Sequence, residues 1–191
     1  MTDPVLEEAR RQALADRLGN VPSLLSRWWS FDAPDPKAQD PRDPPAVPDV
    51  VSEWLDAVVP FGRDSVPFVV IAGGVGVGKT FTASWLVGQM IERAAMGAVA
   101  MSDRDLVGFE VPERLFDAPI VLFDDVGAVQ SKNVVTNTQL LLMDRWQRNR
   151  LTVLTTNLSL AGGDLAQVFG DRLQDRLRSA VGFALRGGSR R

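Results

Sequence analysis

Gly73 to Thr80 reads GGVGVGKT and follows the apolar run FVVIA directly. Glycines at 73, 74, 76 and 78 let a backbone close around a bound group with its amide N–H groups turned inward. Lys79 adds a mobile positive charge, and the Thr80 hydroxyl is a hard oxygen donor suited to Mg²⁺. The spacing G-x-x-x-x-G-K-[ST], placed between a buried strand and a helix, fits a triphosphate: amides around the phosphate chain, lysine on its outer phosphates, hydroxyl on the metal. A helix starting near Gly78 aims its positive end at the same place. The plain alternative is a glycine-rich turn that happens to precede a lysine. The phosphate reading names Gly73, Gly74, Val75, Gly76, Val77, Gly78, Lys79, Thr80 and Phe81 as binding residues.

Two further strand ends carry polar groups. IVLFDDVG places Asp124 and Asp125 at the carboxyl end of a second apolar run, the edge where ligands sit in an open α/β sheet. Neighbouring strand residues face opposite ways, so the two acids divide their roles: Asp124 with Thr80 for the metal, Asp125 to orient or deprotonate an attacking water. A solvated pair of turn acids is the alternative. LTVLTTN is a third such run; Thr155, Thr156 and Asn157 leave the sheet at the same edge, and Asn157 is placed to hydrogen-bond a γ-phosphate or the water. An asparagine that merely turns the chain after a strand is common. The 191 residues contain no cysteine and no histidine, which excludes disulfides, thiolate metal sites and imidazole catalysis and leaves acid–base work to carboxylates or lysine.

The elements that must position these groups alternate along the chain. Strands are expected at 67–73, 97–101, 119–127, 151–157 and 181–186. Helices are expected at 50–59, 78–96, 103–117 (broken at Pro112), 134–150 and 170–179. Continuous apolar strands between helices indicate a parallel sheet covered on both faces. Ahead of this lies a helical segment, TDPVLEEARRQALADRLG, followed by the aromatic stretch LLSRWWSF; residues 1–31 thus form a helical arm. A proline-rich linker follows at 32–49, and the globular domain occupies 50–191. Net charge is -3, so no global positive field advertises nucleic acid. No run of about 18 apolar residues appears, and MTDPVLEEAR lacks a signal pattern, so a cytoplasmic protein with no membrane contact is expected.

GGVGVGKT, VLFDDVG and VLTTN, in this order, together with the arginine-bearing GDRLQDRLRS, resemble the Walker A, Walker B, sensor I and arginine segments of the AAA+ ATPases, most closely the DnaC/IstB group with its bacterial or phage helicase loaders. The resemblance spans roughly residues 50 to 186. It implies a P-loop NTPase three-layer sandwich with a parallel five-stranded AAA+ sheet, little or no C-terminal lid, and a short helical N-terminal arm. It implies Mg²⁺-dependent hydrolysis of ATP by Lys79, Asp125, Asn157 and an arginine finger, with Thr80 and Asp124 on the metal. ATP would lie at the interfaces of a homo-oligomer. By motif match Arg176 is the finger, with Arg172 and Arg178 as alternatives; intrahelical pairing of Arg172 and Arg176 with Asp171 and Asp175 is the structural counter-reading. The adenine pocket would lie within Val50–Phe61.

The same resemblance implies that the protein binds single-stranded DNA and loads or remodels a replicative helicase through residues 1–31. An IstB-like transposition helper is the alternative within the group, and a small-molecule P-loop kinase the alternative outside it. Packing of Trp28 and Trp29 onto the domain competes with the partner-binding reading of the arm. Candidate DNA contacts are Arg145, Arg148 and Arg150 around Trp146, the tail Arg186, Arg190 and Arg191, and Lys132 in the loop after the second acidic strand. A solvated helix face competes for the arginines, and Trp146, four residues after Leu142, is expected on the core face.

Overall fold

The computed structural model describes residues 67–94, 97–108 and 110–185. The arm at 1–31, the linker at 32–49, the Val50–Phe61 adenine region and Arg186, Arg190 and Arg191 lie outside the described residues. Five strands are present: β1 (Phe68–Gly73), β2 (Ala98–Ser102), β3 (Ile120–Asp124), β4 (Leu151–Thr156) and β5 (Val181–Leu185). The helices are α1 (Lys79–Ala94), α2 (Glu113–Asp117), α3 (Lys132–Gln147) and α4 (Asp164–Arg178), with a 3-10 turn at Asp103–Leu106.

The strands form one parallel sheet in the order β2-β3-β4-β1-β5. Both faces are apolar because alternate residues of the same strands serve different cores. Val69, Ile71, Leu122 and Val153 pack with Phe81, Leu86, Met90 and Ile91 of α1 on one face. Phe68, Val70, Val121, Phe123 and Leu154 pack on the other with Leu141 and Leu142 of α3 and with Leu165, Phe169, Leu173 and Leu177 of α4. Such burial at about 25 cal/mol per Å² is the dominant force holding the three layers. Trp146 joins this second core edge-on to Phe68, with ring centroids 5.1 Å apart, on the face its spacing from Leu142 indicates.

Three expected elements differ in extent. The helix expected at 103–117 is instead the 3-10 turn and the short α2, with Pro112 preceding the first residue of α2, where a missing N–H costs nothing. The helix expected at 170–179 starts earlier, at Asp164, and runs across a kink at Gly170, whose φ of 75° and ψ of 161° are not helical. The strand expected at 119–127 stops at Asp124, because Asp125 turns the backbone into the left-handed region with φ of 56°.

The sheet order puts β1 between β4 and β5, with β3 beyond β4. All carboxyl ends point the same way, so the residues following β1, β3 and β4 share one edge. The amino edge holds the starts of the strands. β5 is bound so closely at the other end that a Cβ on Gly73 would lie 2.6 Å from the Leu185 carbonyl oxygen.

Candidate nucleotide site

Residues 74–78 form the loop between β1 and α1, with Gly76 and Gly78 at φ of 82° and 95°, values that side chains resist. Val75 at its tip is exposed. Lys79 opens α1 and is 6% exposed, since its side chain folds back over the loop. Its Nζ donates to the Gly74 carbonyl at 2.8 Å and to Asn157 Oδ1 at 2.7 Å. The Thr80 hydroxyl, one residue on, lies 2.9 and 3.1 Å from the two oxygens of Asp124. The ends of β1, β3 and β4 therefore meet through Lys79, Thr80, Asp124 and Asn157. Asp125 is exposed beside them.

Burial pushes the Asp124 carboxyl above its ordinary value; hydrogen bonds from Thr155 and Thr80 and the charge of Lys79 pull it back. A nearby divalent cation would favour the ionised form further. The donors suit Mg²⁺: one carboxylate and one hydroxyl, both hard oxygen ligands. Among the described residues no cluster of three or more acidic, histidine or cysteine ligands exists, and phosphate and water would supply the metal's further oxygens.

Two buried groups to which the sequence assigns no role shape this edge. Thr155 donates from Oγ1 to Asp124 at 2.6 Å and accepts the Asp125 amide at 2.8 Å. In the sequence it is one β-branched residue among several in LTVLTTN, and only its place two residues before Asn157 hints at more. Asp103, 2% exposed, follows β2 and accepts the amides of Gly127 and Val129 at 2.9 and 3.0 Å. Its other oxygen is buried without a partner, and burial pushes its carboxyl above the usual value while the backbone amides draw it down. Nothing in SDRDL distinguishes this acid from the exposed Asp105 two residues later.

The arginines divide. Arg145 is fully buried and is not a DNA contact. Its guanidinium donates to the carbonyls of Leu115, Ala118 and Leu151 and to the Thr152 hydroxyl, joining α2, α3 and the starts of β3 and β4 at the amino edge. Burial lowers its pKa to about 9, which leaves it charged at neutral pH. Arg148 is exposed but paired with Asp144 at 2.9 Å and Asp117 at 3.3 Å. Arg150 and Lys132 are exposed. On α4, Arg172 and Arg178 are exposed and Arg176 is half-buried, its Nε enclosed without a partner. Among the described residues, no ion pair joins Arg172 or Arg176 to Asp171 or Asp175. Arg176 lies near the end of α4, just before Val181, which pairs with Val69. The glycine loop begins five residues further along β1, so the turn after α4 lies at the opposite end of β1 from that loop.

No family model matches the sequence, and no curated protein matches it. Solved structures do. The crystal structure of the DnaC helicase loader superposes with a TM-score of 0.66 at 19% identity, covering 84% of this chain and 99% of that one. The chain shares the fold of that helicase loader. A putative primosome component from Streptococcus pyogenes serotype M3 gives 0.66 at 21% identity, covering 94% of this chain and 98% of that one. The replication initiator DnaA, bound to AMPPCP and single-stranded DNA, gives 0.58 at 15%, covering 79% of this chain and 48% of that one. The five-stranded parallel sheet is the sheet type that the motifs led one to expect. No described helix is long and apolar enough to cross a membrane.

Proposed function

We infer that the protein binds ATP with Mg²⁺ and hydrolyses it as a subunit of a homo-oligomer, and that it uses this cycle to load or remodel a replicative helicase on single-stranded DNA. The convergence of Lys79, Thr80, Asp124 and Asn157 at one sheet edge carries the reading. Lys79 and the loop amides would hold the phosphates. Thr80 and Asp124 would hold Mg²⁺, which offsets phosphate charge when bound. Asp125 is exposed beside the site and would orient or deprotonate the attacking water, with Asn157 supporting the γ-phosphate.

Arg176, half-buried near the end of α4, is the arginine that the motif match assigns to another copy's ATP. Likeness to a helicase loader and to a DNA-bound initiator supports the choice of helicase and DNA as partners. The test is turnover against protein concentration. Specific activity should rise with concentration; Lys79→Ala should lose nucleotide binding, while Arg176→Ala should bind ATP and lose most turnover. Concentration-independent hydrolysis that survives Arg176→Ala would exclude a shared site. Capture of helicase rather than transposase from defined mixtures separates loader from transposition helper.

A further inference from the structure

We propose that Thr155 is a positioning residue that aims both carboxylates at the end of β3, an inference that rests on the hydrolytic reading of the site. The regular pairing of β3 with β4 ends at Phe123 and Leu154. Beyond it the two chains are joined by threonine groups. The Thr155 hydroxyl accepts the Asp125 amide at 2.8 Å and donates to Asp124 Oδ1 at 2.6 Å. The Thr155 carbonyl accepts the Val126 amide at 2.8 Å, and the Thr156 hydroxyl donates to the Val126 carbonyl at 2.7 Å.

The direction of the Thr155 proton is forced. An amide can only donate, so the hydroxyl proton must point at the Asp124 carboxylate, which can accept it when ionised. One fully buried oxygen thereby fixes two consecutive acids differently. It holds the Asp124 side chain beside Thr80 and holds the Asp125 backbone. Asp125 adopts φ of 56°, a left-handed conformation uncommon outside glycine that aspartate tolerates better than most side chains. The left-handed turn is what carries the Asp125 side chain out of the strand and into the open. Without the hydroxyl, the Asp125 amide loses its acceptor, Asp124 loses its shortest donor, and the turn is free to relax.

Thr155→Val keeps the shape of the side chain and removes the hydroxyl; Thr155→Ser keeps the hydroxyl. The full chain is assayed for ATP binding by calorimetry, for kcat, for the Mg²⁺ concentration at half-maximal rate, and for exchange of the Asp125 amide with deuterium. Thr155→Val should bind ATP about as well as wild type and lose about 10–100-fold in kcat, the usual effect of removing a group that orients a ligand residue. It should also need more Mg²⁺ and exchange the Asp125 amide faster, while Thr155→Ser restores all of these. Unchanged kcat and Mg²⁺ requirement in Thr155→Val, or a Thr155→Ser enzyme as slow as Thr155→Val, would overturn the assignment. So would a loss of kcat matched by an equal loss of ATP binding, which marks general damage. An inactive wild type is a different result: it removes the hydrolytic reading and the positioning role with it.

Discussion

Replacing Arg145 by methionine tests whether a buried cation holds the amino edge of the sheet. The variant keeps a long side chain but leaves the carbonyls of Leu115, Ala118 and Leu151 without their donor. Thr152 still donates to the Arg150 carbonyl and is the least affected partner. Each abandoned buried acceptor costs about 1–3 kcal/mol, so three give about 3–9 kcal/mol. Removing a buried charge returns part of this, because its desolvation no longer opposes folding, and a net loss of about 4 kcal/mol is expected. At a urea slope of about 2 kcal/mol per molar, the unfolding midpoint should fall by about 2 M. Lysine should not rescue it, because a single ammonium cannot span acceptors that a planar fork reaches. The measurement is urea titration by tryptophan fluorescence and circular dichroism, with binding of single-stranded DNA measured on the variant while still native. A midpoint within about 0.3 M of wild type, combined with lost DNA binding, would refute the structural role and return Arg145 to the DNA surface.

Asp125→Asn should bind ATP and Mg²⁺ with little change and lose about 100-fold or more in turnover, read by steady-state phosphate release, because the amide cannot take a proton. Asp103 has its pKa raised by burial, so its ionised form opposes folding: the protein gains from protonating it in acid and loses that gain as pH rises through its folded pKa, above 3.8. Asp103→Asn, which keeps an oxygen for the Gly127 and Val129 amides, should flatten this contribution when urea midpoints are compared across the acid range. Gly127→Ala should lower the melting temperature by about 4 °C, from about 1–2 kcal/mol of strain. Its φ is 86° and the new methyl would sit 2.6 Å from Leu158 Cδ1, which can move aside only in part.

What the sequence disclosed follows from how local each feature is. GGVGVGKT is a local pattern, and the apolar runs FVVIA and IVLF, short and rich in β-branched residues, mark buried strands, so the central strands and the glycine loop are legible in place if not to the last residue. The resemblance to the DnaC/IstB group implied a parallel five-stranded sheet; the particular order β2-β3-β4-β1-β5 is read from the structure, because apolar runs alone leave it open. Arg145 was not legible because its acceptors lie 27 to 30 residues upstream as well as just ahead; in the sequence it is one arginine of three in DRWQRNR. Asp103 stayed hidden for the same reason, since its amide donors lie 24 and 26 residues away. The early end of β3 goes with a hydrogen bond from the Asp125 amide to a threonine 30 residues away; aspartate tolerates the left-handed region, but the sequence alone does not say which of the two acids turns there.

The tight seat of Gly73 against the Leu185 carbonyl matters to anyone who labels this molecule. An affinity handle, a dye or a fluorescent fusion joined just past Leu185 is tethered at the mouth of the loop that would receive the triphosphate. The same cargo ahead of Pro67 starts from the opposite rim, where the Pro67 carbonyl meets the Thr152 amide at 2.9 Å. A handle inserted at that point crowds the glycine loop, whereas one ahead of Pro67 leaves it clear.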